Sequence, residues 1–198
     1  MSHAIYNTEG IILKSVNIGE ANKLYFILTK DLGLIRATAQ GVRLLKSKLR
    51  YGLMDYSVGH FALVRGKELW RLTSALKEQD LAKSKDFLLW ARIFSLVLRL
   101  IQGEEYNDKI YQVIKEGIGF LSSLPSDLEA KKRNEIVLNF ECILALRILS
   151  NLGYLGNLGD FNQFVESPYF TTELIDKMSA LKTQAILEIN KSLKETHL

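Results

Sequence analysis

Residues 23–40 read KLYFILTKDLGLIRATAQ, and the fold turns on how they alternate. Leu24, Phe26 and Leu28 interleave with Lys23, Tyr25 and Thr29, the period of two that sends successive side chains to opposite faces of a strand. Asp31-Leu32-Gly33 is a turn signal. The run after it alternates again, with Ile35, Ala37 and Ala39 opposing Arg36, Thr38 and Gln40. The stretch is therefore a β-hairpin. Tyr25, beside the basic Lys23, is expected on the outer face, and Arg36 and Gln40 on the polar face of the second strand.

Outward from this hairpin, Glu9 to Ile18, Ser57 to Arg65 and Glu68 to Ser74 are also rich in β-branched, aliphatic and aromatic residues. Gly19-Glu20, Gly41 and Gly66-Lys67 punctuate them. Trp70 shares a face with Leu72 and reads as core, while Arg71 between them reads as surface. Five short strands with a longer connection after the third predict a small, partly closed barrel. The oligonucleotide/oligosaccharide-binding type, the OB-fold, joins five strands in about this length. An SH3-like barrel fits the bare pattern nearly as well.

Beyond residue 80 the period becomes helical. Trp90, Ile93, Phe94, Val97, Leu98 and Ile101 recur at i, i+3, i+4 spacing, with Gly103 placed as a stop. A second helix is expected over about 105–121, before the Ser-Ser-Leu-Pro-Ser break at 122–126. Ser126 stands three residues before Glu129, a capping-box spacing that predicts a third helix over roughly 127–152. That helix is apolar on most sides between Ile136 and Leu149, as a helix central to a bundle would be. Thr172 is the expected N-cap of a last helix, about 173–193. The fold class is α+β: a five-stranded barrel over 1–80, then an all-helical domain over 81–198.

Composition narrows the function classes. The 198 residues are 24% charged and 47% hydrophobic, a globular balance, with two prolines and one cysteine. A single cysteine, Cys142, leaves no internal disulfide framework and no multi-cysteine zinc site. It sits among Phe140, Ile143 and Leu146 and reads as a small buried hydrophobe. The amino terminus lacks a basic segment followed by an apolar one, so it does not read as a secretory signal. No run approaches the roughly 20 apolar residues of a membrane span. A cytoplasmic protein without a membrane partner is the expectation.

No catalytic constellation is legible. His3 and His197 lie at the ends, and His60, inside a strand, reads as structural. Neither a GxxxxGK[ST] or GxGxxG phosphate loop nor an HExxH metal motif occurs. Glu104, Glu105 and Asp108 read as a solvated helix start, where acids favour the dipole. The expectation is no enzyme, no catalytic residue, no metal and no cofactor.

Charge points elsewhere. Residues 1–80 hold 12 Lys/Arg against 7 Asp/Glu, whereas 81–198 hold 14 against 15. Within the first part, Arg36, Arg43, Lys46, Lys48 and Arg50 follow one another with no acid between. A basic groove that tracks phosphates, with aromatics that stack bases, is how single-stranded nucleic acid is held. Tyr25 and Tyr51, each beside a cation, are the stacking candidates. Nothing resembles a base-reading helix, so sequence specificity is expected to be low.

Residues 9–75 carry EGIILKS at 9–15, GEANKL at 19–24, LGLIRA at 32–37, QGVR with KSKLR over 40–50, and LWRLTSA at 69–75. In that order and spacing they resemble the amino-terminal domain of the RecO family of bacterial DNA-repair and recombination mediators. LSNLGYLGNL at 149–158 is similar to a leucine-glycine segment of that family's helical domain. The resemblance implies an OB-fold followed by a helical domain. It also implies binding of single- and double-stranded DNA, annealing of complementary strands, and work with RecR to load RecA on DNA coated by single-stranded-DNA-binding protein. Carried onto this chain, it makes Lys14, Lys23, Arg36, Arg43, Lys46, Lys48 and Arg50 the leading DNA contacts, with surface Arg71 added. Many members carry a four-cysteine zinc module after the leucine-glycine segment. Gly153 to Ser167 contains no cysteine, so no structural zinc is expected here.

Overall fold

A computed structural model describes residues 4–101, 103–104, 106–156 and 158–196. Five strands, β1 (Ile5–Ile18), β2 (Asn22–Thr29), β3 (Gly33–Ala39), β4 (Ser57–Arg65) and β5 (Trp70–Asp80), form a closed barrel in the order β1-β2-β3-β5-β4. All pairings are antiparallel except a short parallel contact, Ala37 with Trp70 and Thr38 with Arg71. This is OB-fold topology, and it settles the choice between the two barrels.

One long strand closes the barrel. The 14 residues of β1 pair with β4 through Ile5–Ile11 and with β2 through Gly10–Ile18. A register shift between Ile12 and Lys14 bends the strand between these duties. Across from the bend, β4 has its own shift between Val58 and Gly59. A Cβ on Gly59 would come within 2.1 Å of the Leu76 carbonyl oxygen, so only glycine lets β5 approach there.

Twelve buried residues fill the barrel, among them Ile12, Tyr25, Ile27, Ile35, Phe61, Leu63 and Trp70. Ile35, Ala37 and Ala39 point inward and Arg36 and Gln40 outward, as the alternation predicts. The parity of β2 is the reverse of expectation. Tyr25 lies inside at 1% exposure, and its hydroxyl points to the Leu53 carbonyl at 3.4 Å. The reason is register: Tyr25 is opposite Ala37, whose neighbours on its own face are the inward Ile35 and Ala39.

Helix α1 (Phe87–Leu100) buries Trp90, Ile93, Phe94 and Val97 on one stripe. It belongs with the barrel in a compact unit, Met1–Tyr111. Tyr56, at φ 66°, joins the two: its ring stacks on Phe94 and meets Phe87 edge-on, while its backbone N–H donates to the Ile12 carbonyl.

The second unit, Gln112–Leu198, takes most of α2 (Asp108–Ser123) together with α3 (Ala130–Asn151), α4 (Asn162–Glu166) and α5 (Thr172–Glu195). Every residue of α3 from Cys142 to Leu149 is buried, as a central helix requires. Arg147 is among them, against the usual behaviour of arginine. It donates to the Phe164 and Tyr169 carbonyls and lies over the Phe170 ring at 4.0 Å. Two caps differ from expectation. The N-cap of α3 is Glu129 with no side-chain bond, so the Ser126 capping box does not form. The last helix is capped by Thr171, not Thr172, through its hydroxyl and the Leu174 N–H.

Candidate nucleic-acid interface

At one mouth of the barrel the connection from β3 to β4, residues 40–56, folds against the turn between β1 and β2. The Gly41 N–H donates to Asn22 Oδ1 at 2.8 Å, and the Arg43 N–H donates to the Ala21 carbonyl at 3.0 Å. Arg43 Nη1 also donates to the Gly19 carbonyl at 2.7 Å. The segment is thus fastened by three hydrogen bonds to the β1–β2 turn, and a 3₁₀ turn at Leu49–Tyr51 stiffens its far end.

A cleft of about 560 Å³ opens at this mouth, and Lys23, Arg43, Arg50, Tyr51 and Met54 line it. The Tyr51 ring is 72% exposed, with the Arg50 guanidinium 5.8 Å from its centre. Lys23 donates from Nζ to Ser15 Oγ at 3.2 Å, which holds its charge at the rim. Tyr25 reaches the cleft only from below, as part of the wall, so its ring faces are shut off from a stacking base. Its hydroxyl is pushed up to about 12 by burial and then by the neighbouring Asp55 carboxylate. Lys46 and Lys48 are exposed on the same connection but do not line the cleft.

The remaining predicted contacts lie elsewhere. Lys14, Arg36 and Arg71 are exposed on the outer face of the sheet formed by β1, β2, β3 and β5. Lys14 and Arg36 line a second cleft, of about 640 Å³, which also takes in Phe26 and Arg65. Sequence reading missed Phe26 and Arg65, because nothing local reveals which residues of neighbouring strands stand opposite one another.

The groups weighed for catalysis are dispersed. His60 lies on the exposed side of β4, with Nε2 2.9 Å from Glu78 Oε1 and 3.9 Å from Glu9 Oε1. Cys142 is buried and free, and burial raises its thiol. Glu104 pairs with Arg65 and Asp108 opens α2, while Glu105, His3 and His197 lie outside the described residues. Among the described residues no three or more His, Cys, Asp or Glu are grouped to hold a metal ion, and no helix is long and apolar enough to cross a membrane.

Closed five-stranded topology with cations gathered at one mouth defines an OB-type barrel protein with a basic mouth. Residues 1–79 match the family described as recombination protein O N terminal. The chain is similar to the DNA repair protein RecO of Heliobacterium modesticaldum, at 30% identity over 158 residues, covering 78% of this chain and 54% of that protein. It is similar to RecO of Clostridium novyi at 26% identity over 155 residues, or 76% and 57% of the two chains. RecO of Rubrobacter xylanophilus is 36% identical over 72 residues, 36% of this chain and 29% of that one. The chain thus spans just over half the length of the curated relatives it matches most extensively.

Proposed function

We propose that this chain is a non-enzymatic DNA-repair and recombination mediator that works in the cytoplasm, at the nucleoid. The barrel, residues 1–80, binds single- and double-stranded DNA, and the helical part, residues 81–198, scaffolds it and offers a partner surface. One observation carries the reading: Lys23, Arg43, Arg50 and the exposed ring of Tyr51 converge on a single cleft. Cations there neutralise phosphates and release counterions, and an exposed aromatic accepts any base. Neutralised strands repel one another less, so complementary strands anneal without nucleotide hydrolysis. Together with RecR, the protein then helps load RecA onto DNA coated by single-stranded-DNA-binding protein. The match of residues 1–79 to the recombination protein O N-terminal family supports this assignment.

The test is fluorescence anisotropy of a labelled single-stranded oligonucleotide across a salt series. Affinity falls as salt rises, and Lys23→Ala/Arg43→Ala/Arg50→Ala shallows the log–log slope by about 2, near 0.7 per phosphate contact removed. An unchanged slope in that variant would remove the mouth from the interface. A second reading, a protein-docking adaptor, draws on the exposed Leu44 and Leu45, the latter 86% accessible on the same basic connection. It predicts that the triple variant loses partner binding and keeps whatever DNA affinity the native chain has.

A further inference from the structure

The basic cleft at the barrel mouth contains one carboxylate. Asp55, near the end of the β3–β4 connection, lines it together with Lys23, Arg43, Arg50 and Tyr51. We infer that Asp55 is a specificity-determining residue of this cleft, reading the adjacent N–H donors on the edge of a single-stranded guanine. The inference rests on the proposed function and deepens it: the Tyr51 ring accepts any base, and Asp55 chooses among them.

The neighbouring cations leave Asp55 unpaired. Lys23 donates to Ser15, Arg43 donates to the Gly19 carbonyl, and Arg50 lies toward the Tyr51 ring. Among the described residues none of the three forms an ion pair with Asp55. Asp55 Oδ1 is closed off from solvent and has no hydrogen-bond donor. Buried polar atoms are nearly always paired, so an orphaned one marks a place where a partner is due. The backbone beside it is fixed. Tyr56 holds a left-handed conformation at φ 66°, its N–H donating to the Ile12 carbonyl and its own carbonyl accepting from the Leu81 N–H. Strain of this kind persists only where the surrounding structure imposes it, and it gathers at binding sites. The Asp55 charge is also felt at the floor of the cleft, where it helps to raise the Tyr25 hydroxyl.

A bare carboxylate under a polyanion is unfavourable unless a donor meets it. With phosphates on the cations and a base stacked on Tyr51, the edge of that base turns toward Asp55. The carboxyl torsion is broad and roughly two-fold, so a small turn offers both oxygens to that edge. Guanine presents N1–H and N2–H side by side, a match for the two oxygens of one carboxylate. Thymine presents a single N–H between two carbonyl oxygens, which the carboxylate repels. Cytosine and adenine each set one amine beside a ring-nitrogen acceptor and rank between them. A buried hydrogen-bonding group rejects the ligand that cannot pair with it.

The experiment measures, by fluorescence anisotropy of the full chain, an oligothymidylate of about twelve nucleotides and the same strand with one central guanine. The guanine strand should bind about tenfold more tightly, the discrimination of one good bidentate base contact. Inosine in place of guanine lacks the exocyclic amine and should return most of that gain. Asp55→Asn offers one acceptor and no charge. It should abolish the guanine preference and bind the oligothymidylate more tightly than the native chain does. The inosine comparison needs no variant, so it decides the matter even where Asp55→Asn does not fold. Equal native affinities for the two strands overturn the inference, as does a guanine preference that survives Asp55→Asn. Absence of binding to either strand would overturn the nucleic-acid reading itself, a result distinct from these.

Discussion

Tyr25 concentrates the behaviour of a polar tip in an apolar barrel. Its ring packs with Ile12, Ile27 and Ile35, while its hydroxyl sits between the Leu53 carbonyl and the field of Asp55. An ordinary tyrosine loses its proton near 10, whereas here loss is delayed to about 12. Between those values the folded chain binds more protons than the unfolded one, so stability falls as pH rises. The contribution is whole below pH 10 and gone above about 12. A native-minus-Tyr25→Phe difference titration at the tyrosinate absorbance band should show a step near 12. Unfolding of Tyr25→Phe should be less steep in alkali. A step near 10 would contradict the buried placement. Arg147 follows the same logic from the basic side: burial draws its guanidinium down to about 10, yet two carbonyls and the Phe170 face hold it in place.

Among the elements, the long β1 and the shifted β4 do the closing. Gly59 is the point at which β4 lets β5 cross, with no room for a Cβ beneath the Leu76 carbonyl. Gly59→Ala is expected to lower the melting temperature by several degrees, equivalent to about 1–3 kcal/mol of overpacking against the Leu76 carbonyl. Thermal denaturation by circular dichroism checks it; an unchanged transition would mean the strands can separate there freely. The connection 40–56 gains its functional shape from such local ties. Asn22, Ala21 and Gly19 receive three bonds from Gly41 and Arg43, so the cations beyond them are presented on an anchored segment. Asn22→Ala should therefore weaken single-strand binding about as much as loss of one ordered contact, near tenfold or less, without removing any charge. Anisotropy at fixed low salt measures this.

For the whole molecule, the strand-to-helix change falls near residue 80, but the compact unit that holds the barrel runs on to Tyr111. Helix α1 supplies Phe87 and Phe94 to the Tyr56 ring. Tyr111 donates to Glu9 Oε2 at 3.1 Å. A fragment of residues 1–111 should therefore unfold cooperatively, whereas residues 1–80 should melt lower and bind a hydrophobic dye. Equal melting temperatures for the two would show that α1 adds nothing to the barrel.

By itself the sequence determined the elements and their order. Alternation of two in Ile35-Arg36-Ala37 and the i, i+3, i+4 stripe from Trp90 are local properties, carried by residues adjacent in the chain. The basic run at 36–50 was legible for the same reason, since charge is a property of residues alone. Tertiary structure decided which side of each strand faces in, because inside and outside exist only once β1 has bent and met β4. It reversed Tyr25, buried Arg147 and divided five of the eight candidate cations between two clefts. Each of those outcomes depends on pairings between residues far apart in the chain, such as Lys14 with Phe26 and Phe26 with Arg36, and register of that kind is set by the whole barrel packing at once.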